Sequence, residues 1–382
     1  MRFGVIGWGL RAPIAKIAHQ PERGLEVVAL ADPSEGAQEA FREFVGNKDA
    51  YVTTHYKNLL DQELDAVFVL SPDWLHEEHS VAILRAGIPV FLEKPMAITI
   101  ESCDNILEAA HQTETKLYLG HNMRHFDMVK KMRQWIDQGL IGVPKAAWCR
   151  HFISYGGEAY FRDWHADRAR SNGLLLQKGS HDIDILHWLS GGFATRVSAF
   201  GNLAVYGGVE DRQGPNERHP IKFENTWPPA SLKNAYPIID VEDLTLLNME
   251  LDNGVLASYQ QCHFAPDAWR NYTIIGTEGR IENFGDQPGN CTIRLWDHGR
   301  YKYEEKGDLE YRVDEKKGTH GGSDESMFAE FLAYIQSGDL PTTSPIAARM
   351  AVAAGVAGTE SVRNGGSVVE VKPLPTFENS PA

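Results

Sequence analysis

The 382-residue chain predicts an α/β protein of two domains: a doubly wound parallel sheet, followed by an α+β domain on a mostly antiparallel sheet. Three observations predict it. Up to about residue 122, short apolar runs alternate with helical stretches, as strands buried on both faces by crossover helices require. Beyond that point the runs alternate with period two, the mark of strands with one covered face. Hydrophobic residues make up 42% and charged residues 23%, enough for large cores, and no apolar run approaches the roughly 18 residues that span a bilayer.

Residues 2–6 read as the first buried strand, followed by a glycine turn and a helix over 12–20. Apolar runs at 25–31, 64–70, 89–92 and 116–119 supply a second to a fifth strand, with helices expected near 34–45, 74–86 and 99–112. One more helix is expected near 127–138, stopped by Gly139. Period-two stretches at 146–153, 196–206, 244–251, 255–263, 272–275 and 292–296 then predict strands, with turn signals at Asp252-Asn253-Gly254 and Glu278-Gly279. Residues 207–240 are polar and proline-containing and read as a long loop or lid. Late helices are expected near 324–337 and 345–363, the last packing back near the first domain. The tail from 373 lacks periodicity and is expected to be disordered. The expected boundaries are 1–122, 123–372 and 373–382.

The formal net charge of −15 repels phosphate backbones and anionic lipid, which excludes nucleic acid and membranes as partners. Cys103, Cys149, Cys262 and Cys291 form no C-x-x-C pair and have no histidine at zinc-ligand spacing, so reduced thiols and no structural metal are expected. Met1-Arg2 runs directly into a strand-like segment, so no secretory leader is expected and the cytoplasm is the expected compartment.

Gly7-Trp8-Gly9-Leu10-Arg11-Ala12 is a G-x-G-x-x-A pattern between a strand and a helix, the Rossmann signature for NAD(P). Gly7 permits the tight turn, Gly9 lets backbone approach a pyrophosphate, and Ala12 allows close helix–strand packing. Asp32, at the end of the second strand, is placed for the adenosine ribose hydroxyls, and its carboxylate favours NAD over NADP. Arg11 nearby would offset that repulsion of a 2′-phosphate. The alternative for Asp32 is a helix N-cap or turn residue ahead of Pro33 and Ser34. Ligands of such sheets bind beyond the carboxyl ends of the strands. Ser71, Pro72 and His76, after the 64–70 run, are therefore candidate cofactor contacts. So are Glu93 and Lys94, after what reads as the fourth strand.

Glu93-Lys94-Pro95, Gly120-His121-Asn122-Met123-Arg124 and His181-Asp182-Ile183-Asp184 follow the glycine motif in that order. In this combination the chain resembles the glucose–fructose oxidoreductase / inositol dehydrogenase / MocA family over nearly its whole length. The resemblance implies a second domain with a large open sheet, a homodimer or homotetramer, and a sugar or polyol substrate. It implies that Lys94 touches the reacting hydroxyl and the nicotinamide ribose. His181 is then the general acid/base, and Asp184 supports it from one turn on. It also implies that Lys94 and His181 meet on the same hydroxyl. The residue types suit the chemistry, since a hydroxyl proton must leave as the hydride leaves. An imidazole accepts it near neutral pH, and an ammonium stabilises the alkoxide. Where the family pattern has an aspartate four residues before the histidine, this chain has Gln177, followed by Lys178. Lys178 either supplies a second cation suited to an acidic or highly hydroxylated substrate, or points into solvent.

Phe161-Arg162-Asp163-Trp164-His165 combines aromatic faces with polar groups, which suits a sugar ring. Trp164, His165, Gln177, Lys178, His181 and Arg124 are the candidate substrate contacts, as are His125 and His263, the latter at a predicted strand end. The spacing of His165, His181 and His263 offers no support for a metal. The expected activity is NAD(P)-dependent oxidation of a sugar or inositol carbon, or the reverse reduction. Two alternatives stay open: a redox-assisted glycoside-cleaving or epimerising enzyme with tightly held NAD, and an NAD-binding sensor without turnover.

Overall fold

Six strands near the start of the chain pair into one all-parallel sheet in the computed structural model, which describes residues 1–214, 222–315 and 318–376. They are β1 (Arg2–Ile6), β2 (Glu26–Ala31), β3 (Tyr51–Thr53), β4 (Ala66–Val69), β5 (Val90–Glu93) and β6 (Leu117–Gly120), in the order β3-β2-β1-β4-β5-β6. The order reverses between β1 and β4, and the crevice beyond that reversal is where such sheets take ligands. β4, β5 and β6 are buried at every position, so their sequences AVFV, VFLE and LYLG show no alternation. The crossovers include helices α1 (Ala12–Ala18), α2 (Glu35–Val45), α3 (His76–Arg85) and α4 (Ile100–Thr113). Ser34 and Thr99 cap α2 and α4, each accepting a backbone N–H three residues on.

β3 was not expected from sequence. At three half-buried residues on the sheet edge it is too short to show a period. Glu93-Lys94 therefore follows the fifth strand, not the fourth. The core of this unit is completed from far along the chain. The helix Ser323–Ser337 brings Met327, Phe328 and Phe331 into one cluster with Phe3, Phe68, Phe91 and Tyr118. Phe331 meets Phe68 and Phe91 edge-on at 5.6 and 5.4 Å, pairs worth about 0.5–1.5 kcal/mol each beyond their burial. Among the described residues this unit comprises 1–126, 318–349 and 374–376. The last six residues of the expected tail lie outside the described residues.

The second unit, residues 127–214, 222–315 and 350–373 as described, carries a nine-stranded sheet among the described residues. Its strands are β7 (Pro144–Phe152), β8 (Ala194–Asn202), β9 (Leu244–Leu251), β10 (Leu256–Cys262), β11 (Trp269–Gly276), β12 (Arg280–Gln287), β13 (Asn290–Trp296), β14 (Leu309–Val313) and β15 (Val369–Glu370). The order is β14-β13-β12-β11-β7-β10-β9-β8-β15, antiparallel throughout except for β7 beside β10. β12 escaped the sequence reading because Glu282, Asn283 and Asp286 are buried polar residues and a bulge at Gly285 (φ +76°) breaks its period. β14 is a largely exposed edge, and β15 has two residues.

The helix Gly179–Ser190 covers β7, β10 and β11 on one face. Gly179 makes its approach possible, since a Cβ there would stand 3.0 Å from the Tyr259 ring. The opposite face leaves Phe200, Leu246 and Leu256 exposed. From Met350 onward the helix Pro345–Arg363 packs within this unit. A Cβ on Gly355 would lie 2.9 Å from Leu176 Cα, and Ser361 Oγ accepts from Ala199 N at 2.9 Å.

The described parts of 207–240 are irregular but anchored. Asp243 accepts from the amides of Ala204, Val205 and Tyr206 at 2.7–2.9 Å. Glu158 accepts from Glu224 N and Thr226 N, and Gln213 Nε2 donates to the carbonyls of Arg162 and Asn234. Val209, Leu232, Ala235 and Val241 enter the same core as Ile153, Phe161 and Leu174. Residues 215–221 of the expected loop lie outside the described residues. The four cysteines are free thiols, and no described helix is long and apolar enough to cross a membrane.

Candidate active site

The glycine loop has the geometry that its pattern predicts. Gly7 has φ +92°, and a Cβ there would lie 2.8 Å from the Leu70 carbonyl oxygen, so no other residue fits between β1 and β4. Gly9 is exposed, and a Cβ on it would meet nothing within 4 Å. The protein itself does not require a glycine there, but a diphosphate approaching the backbone would. Leu10 is exposed, and Trp8 packs edge-on against Phe41 at 5.1 Å, so from Trp8 only backbone faces the loop. The Trp8 amide donates to Asp32 Oδ2 at 2.8 Å and the Ser34 amide to Oδ1 at 2.8 Å. Asp32 thus braces the turn from the end of β2, and Ser34, not Asp32, caps α2.

Arg11 departs from expectation. Its Nε donates to Glu93 Oε1 at 2.7 Å, and its two terminal nitrogens donate to Asp324 at 3.2 Å each. Burial opposes the charge on Arg11, but the two carboxylates hold it protonated. Burial also opposes ionisation of Asp324, yet His320 and Arg11 keep its carboxyl well below the usual range. Arg11 is therefore a strut between α1, β5 and the helix Ser323–Ser337. It is not a cation at hand for a 2′-phosphate.

Glu93 uses its other oxygen to accept from the Lys94 amide at 3.0 Å, and the Lys94–Pro95 peptide is cis. His76, expected at the cofactor, is fully buried, and both of its ring nitrogens face backbone carbonyls. Its Nδ1 lies 2.8 Å from the Pro95 carbonyl and its Nε2 2.9 Å from the Ser71 carbonyl. Burial pushes its pKa down while the two carbonyls push it up. The ring ties the end of β4 to the turn after β5, which fixes the backbone that carries half-buried Lys94. Ser71 Oγ pairs with His79 Nδ1 at 2.8 Å, and burial lowers His79 to about 4, so it is neutral at pH 7. Pro72 caps the short turn Asp73–Leu75. Arg124, expected at the substrate, is buried in the first unit and donates to the Thr342 carbonyl at 2.7 Å. His125 faces Glu330 at 3.4 Å.

In the second unit Gln177 ends the short helix Leu174–Gln177, and Lys178 leads into the helix carrying half-buried His181 and buried Asp184. Trp164 and His165 stack with centroids 3.8 Å apart; His165 meets Tyr160 at 5.5 Å, and Tyr160 meets His263 at 5.1 Å. Of the 161–165 motif, Trp164 and His165 join this aromatic series, and Phe161 meets His263 edge-on at 6.2 Å. Phe161 stacks on Tyr206 in the core, and Arg162 donates to the Lys233 carbonyl. Lys178 is 7% exposed, with its ammonium 5.9 and 5.6 Å from the Tyr155 and Tyr160 rings. Burial and the charge of Arg270 lower its pKa to about 7.

The hub of this region is a residue the sequence reading quoted without assigning a role. Asp182 is fully buried and accepts from His151 Nδ1 (2.9 Å), Tyr259 OH (2.8 Å), Arg270 Nε (3.1 Å) and Tyr272 OH. Burial opposes its ionisation, but His151, Arg270 and Tyr272 hold it well below the usual carboxylate range. Burial and Arg270 lower His151 to about 3, so it donates as a neutral ring. The signal available in sequence was polar residues at alternate, otherwise apolar positions: His151 on β7, Tyr259 and Gln261 on β10, Arg270 and Tyr272 on β11.

Two family profiles match the chain in order. The profile for the oxidoreductase-family NAD-binding Rossmann fold covers residues 1–121, and that for the oxidoreductase-family C-terminal alpha/beta domain covers residues 133–371. The 1,5-anhydro-D-fructose reductase of Ensifer adhaerens is 31% identical over 283 residues, 73% of this chain and 74% of its own. The 2,7-anhydro-N-acetylneuraminate hydratase of Mediterraneibacter gnavus is 28% identical over 210 residues, about half of either chain. A solved levoglucosan dehydrogenase, in complex with NADH and levoglucosan, shares the fold with a TM-score of 0.78 at 19% identity, over 98% of this chain and 100% of that one.

Proposed function

The chain belongs to the glucose–fructose oxidoreductase / inositol dehydrogenase / MocA family of NAD-binding oxidoreductases, and from that premise we propose that it moves a hydride between nicotinamide and a hydroxyl-bearing carbon of a sugar, sugar derivative or inositol. The observation that carries the proposal is the bare backbone at Gly9, beside a Gly7 that nothing larger could replace. The residues that would hold the dinucleotide are Gly7, Trp8, Gly9 and Leu10 through backbone, Asp32 at the adenosine ribose, and Ser71, Pro72, Glu93 and Lys94 beyond β4 and β5. Bound there, the nicotinamide supplies the acceptor or donor of the hydride. NAD is the preferred form, because Asp32 repels a 2′-phosphate and Arg11 is engaged by Glu93 and Asp324.

In this reading His181 takes the hydroxyl proton while Lys94 stabilises the negative charge that develops on oxygen. His76 and Glu93 hold the Lys94 backbone, and Trp164 with His165 offers an aromatic face to the ring of the substrate. Four free thiols suit a cytoplasmic enzyme, and the apolar residues on the open sheet face suit a homodimer or homotetramer. The test is a panel of sugars, inositols and their keto forms with NAD and NADP, read by reduced-cofactor absorbance. Lys94→Ala and His181→Ala should each lower kcat by about 10²-fold or more, and His181→Ala, which lies outside the residues that would hold the dinucleotide, should leave NAD affinity little changed. Unchanged turnover in either variant refutes its assignment.

A second reading draws on the relative named as a hydratase. Gln177 cannot carry a negative charge, and a net addition or elimination with tightly held NAD would show substrate conversion without NADH accumulating. Steady NADH formation from a free polyol excludes it.

A further inference from the structure

The sheet register of the second unit places polar side chains in rows beneath the helix Gly179–Ser190. Gln261 on β10 pairs with His151 on β7, which pairs with Arg270 on β11; Tyr259, Cys149 and Tyr272 form the next row. His263 continues the buried side of β10 beyond its last residue. Asp182 takes up the donors of His151, Tyr259, Tyr272 and Arg270, and Asp286 accepts from the Arg270 amide at 3.2 Å and faces its guanidinium at 3.6 Å.

Donors remain after this pairing. Gln261 Oε1 shares the Tyr259 hydroxyl proton with Asp182, at 3.1 Å against 2.8 Å, and its Nε2 is buried with no acceptor among the described residues. His263 is 0% exposed and neither ring nitrogen has a hydrogen-bond partner among the described residues. Burial holds it neutral, with one N–H to give. Among the described residues, the Lys178 ammonium meets the faces of Tyr155 and Tyr160 and has no carboxylate oxygen within 4.0 Å. Lys178 and His263 lie against the same Tyr160 ring, and the Lys178 charge acts on His263. A buried donor left without an acceptor is costly, and a buried cation more so.

We propose that these leftover donors receive a carboxylate of the substrate, so that the compound this chain oxidises or reduces is an acidic sugar of the uronate or aldonate type. Lys178 is its counter-charge, and His263 and Gln261 complete its hydrogen bonds. The inference rests on the dehydrogenase reading above and narrows it. A hydroxyl is donor as well as acceptor and leaves the ammonium without a counter-charge. A carboxylate is acceptor only and suits a site whose unpaired groups include an ammonium, an amide N–H and an imidazole N–H. Arg270 acts against the charge on Lys178, Asp182 and Asp286 act for it, and His151 and His263 are neutral. A bound carboxylate tips this balance towards the ammonium, so binding near pH 8 draws a proton from solution.

The test compares matched pairs, D-glucuronate with D-glucose, D-galacturonate with D-galactose and D-gluconate with D-glucitol, each with NAD. Wild type, Lys178→Met and Lys178→Arg are assayed, with thermal melts to show that the variants fold. The expected result is a preference in kcat/KM of about tenfold or more for acidic members. It should collapse towards unity in Lys178→Met and largely return in Lys178→Arg. Equal or better turnover of the neutral members, or a preference that survives Lys178→Met, overturns the carboxylate site and leaves the dehydrogenase reading standing. If no sugar yields NADH, the dehydrogenase reading falls, and calorimetry of the three acids with NAD-loaded protein decides the site. Binding with proton uptake that Lys178→Met abolishes supports it, and no binding overturns it.

Discussion

The parallel-sheet unit and the mixed-sheet unit treat buried polar groups in opposite ways. Around the glycine loop each charge is answered inside the protein: Arg11 by Glu93 and Asp324, the Asp32 oxygens by the Trp8 and Ser34 amides. What that loop offers outward is bare backbone at Gly9. Around Asp182 the pairing is strong but incomplete, and Lys178, His263 and Gln261 keep donors in reserve. A ligand common to a whole family is met by backbone and shape, which little sequence variation can disturb. A ligand particular to one chain is met by side chains, where one substitution changes the charge of the site.

The largest effect that would sharpen this contrast is at the hub. Asp182→Ala leaves Arg270 buried beside Asp286 alone, strips His151 and Tyr272 of the carboxylate they donate to, and leaves Tyr259 OH the weaker contact with Gln261 Oε1. Removing one partner of a buried ion pair costs about 3–5 kcal/mol, so the unfolding transition of the second unit should fall steeply in denaturant. Asp182→Asn keeps the shape and some of the acceptors and should fall less. If Asp182→Ala melts like wild type, the network is not what holds this unit together.

A smaller effect distinguishes the two glycines of the loop. Gly7→Ala combines a left-handed backbone with a Cβ 2.8 Å from the Leu70 carbonyl, and should cost about 2 kcal/mol of stability as well as NAD binding. Gly9→Ala adds a methyl in open space and should leave stability within about 0.5 kcal/mol while weakening NAD at least tenfold. Thermal melts and NAD titration of the two variants separate these outcomes. NAD binding undisturbed by Gly9→Ala would mean that the diphosphate does not lie on this backbone.

The same contrast explains what could be read from the amino acids alone. The glycine loop, β1, β2 and the caps at Ser34 and Thr99 are local: every residue in each pattern lies within a few positions of the others. The strut role of Arg11 was not legible, because Glu93 and Asp324 lie 82 and 313 residues away. His76 was placed at the cofactor by its position after β4, yet the Pro95 carbonyl it holds belongs to the turn after β5. Asp182 was hidden for a related reason. Its partners are on three strands whose register no local pattern reveals, and β12, next to them in the sheet, shows no clean alternation because its inward positions are polar. Trp164 and His165 were found together because they adjoin in sequence, whereas Tyr160 joined them only in three dimensions.

The smallest effect concerns acid, and it also separates the units. Glu330 in the first unit accepts from Tyr118 OH at 2.8 Å and the Thr342 amide at 2.9 Å, and lies 3.4 Å from His125. Burial opposes its ionisation, but His125 and Thr342 lower its pKa to about 2. An unfolded glutamate titrates near 4.3, so between about pH 4.5 and 2 the unfolded chain binds the extra proton and stability falls as pH falls. With its side chain 21% exposed, screening reduces the contribution to about 1–2 kcal/mol, complete above pH 4.5 and gone near pH 2. Glu330→Gln should therefore lower the stability of the first unit by that amount at pH 7, and the difference from wild type should close as pH approaches 2. Asp182 is held lower still, so the second unit should keep its carboxylate hub through the same window. Denaturant melts followed by tryptophan fluorescence at pH 7, 4 and 2.5 measure the closing difference. A gap between Glu330→Gln and wild type that stays constant down to pH 2.5 would show that Glu330 contributes through packing rather than through its charge.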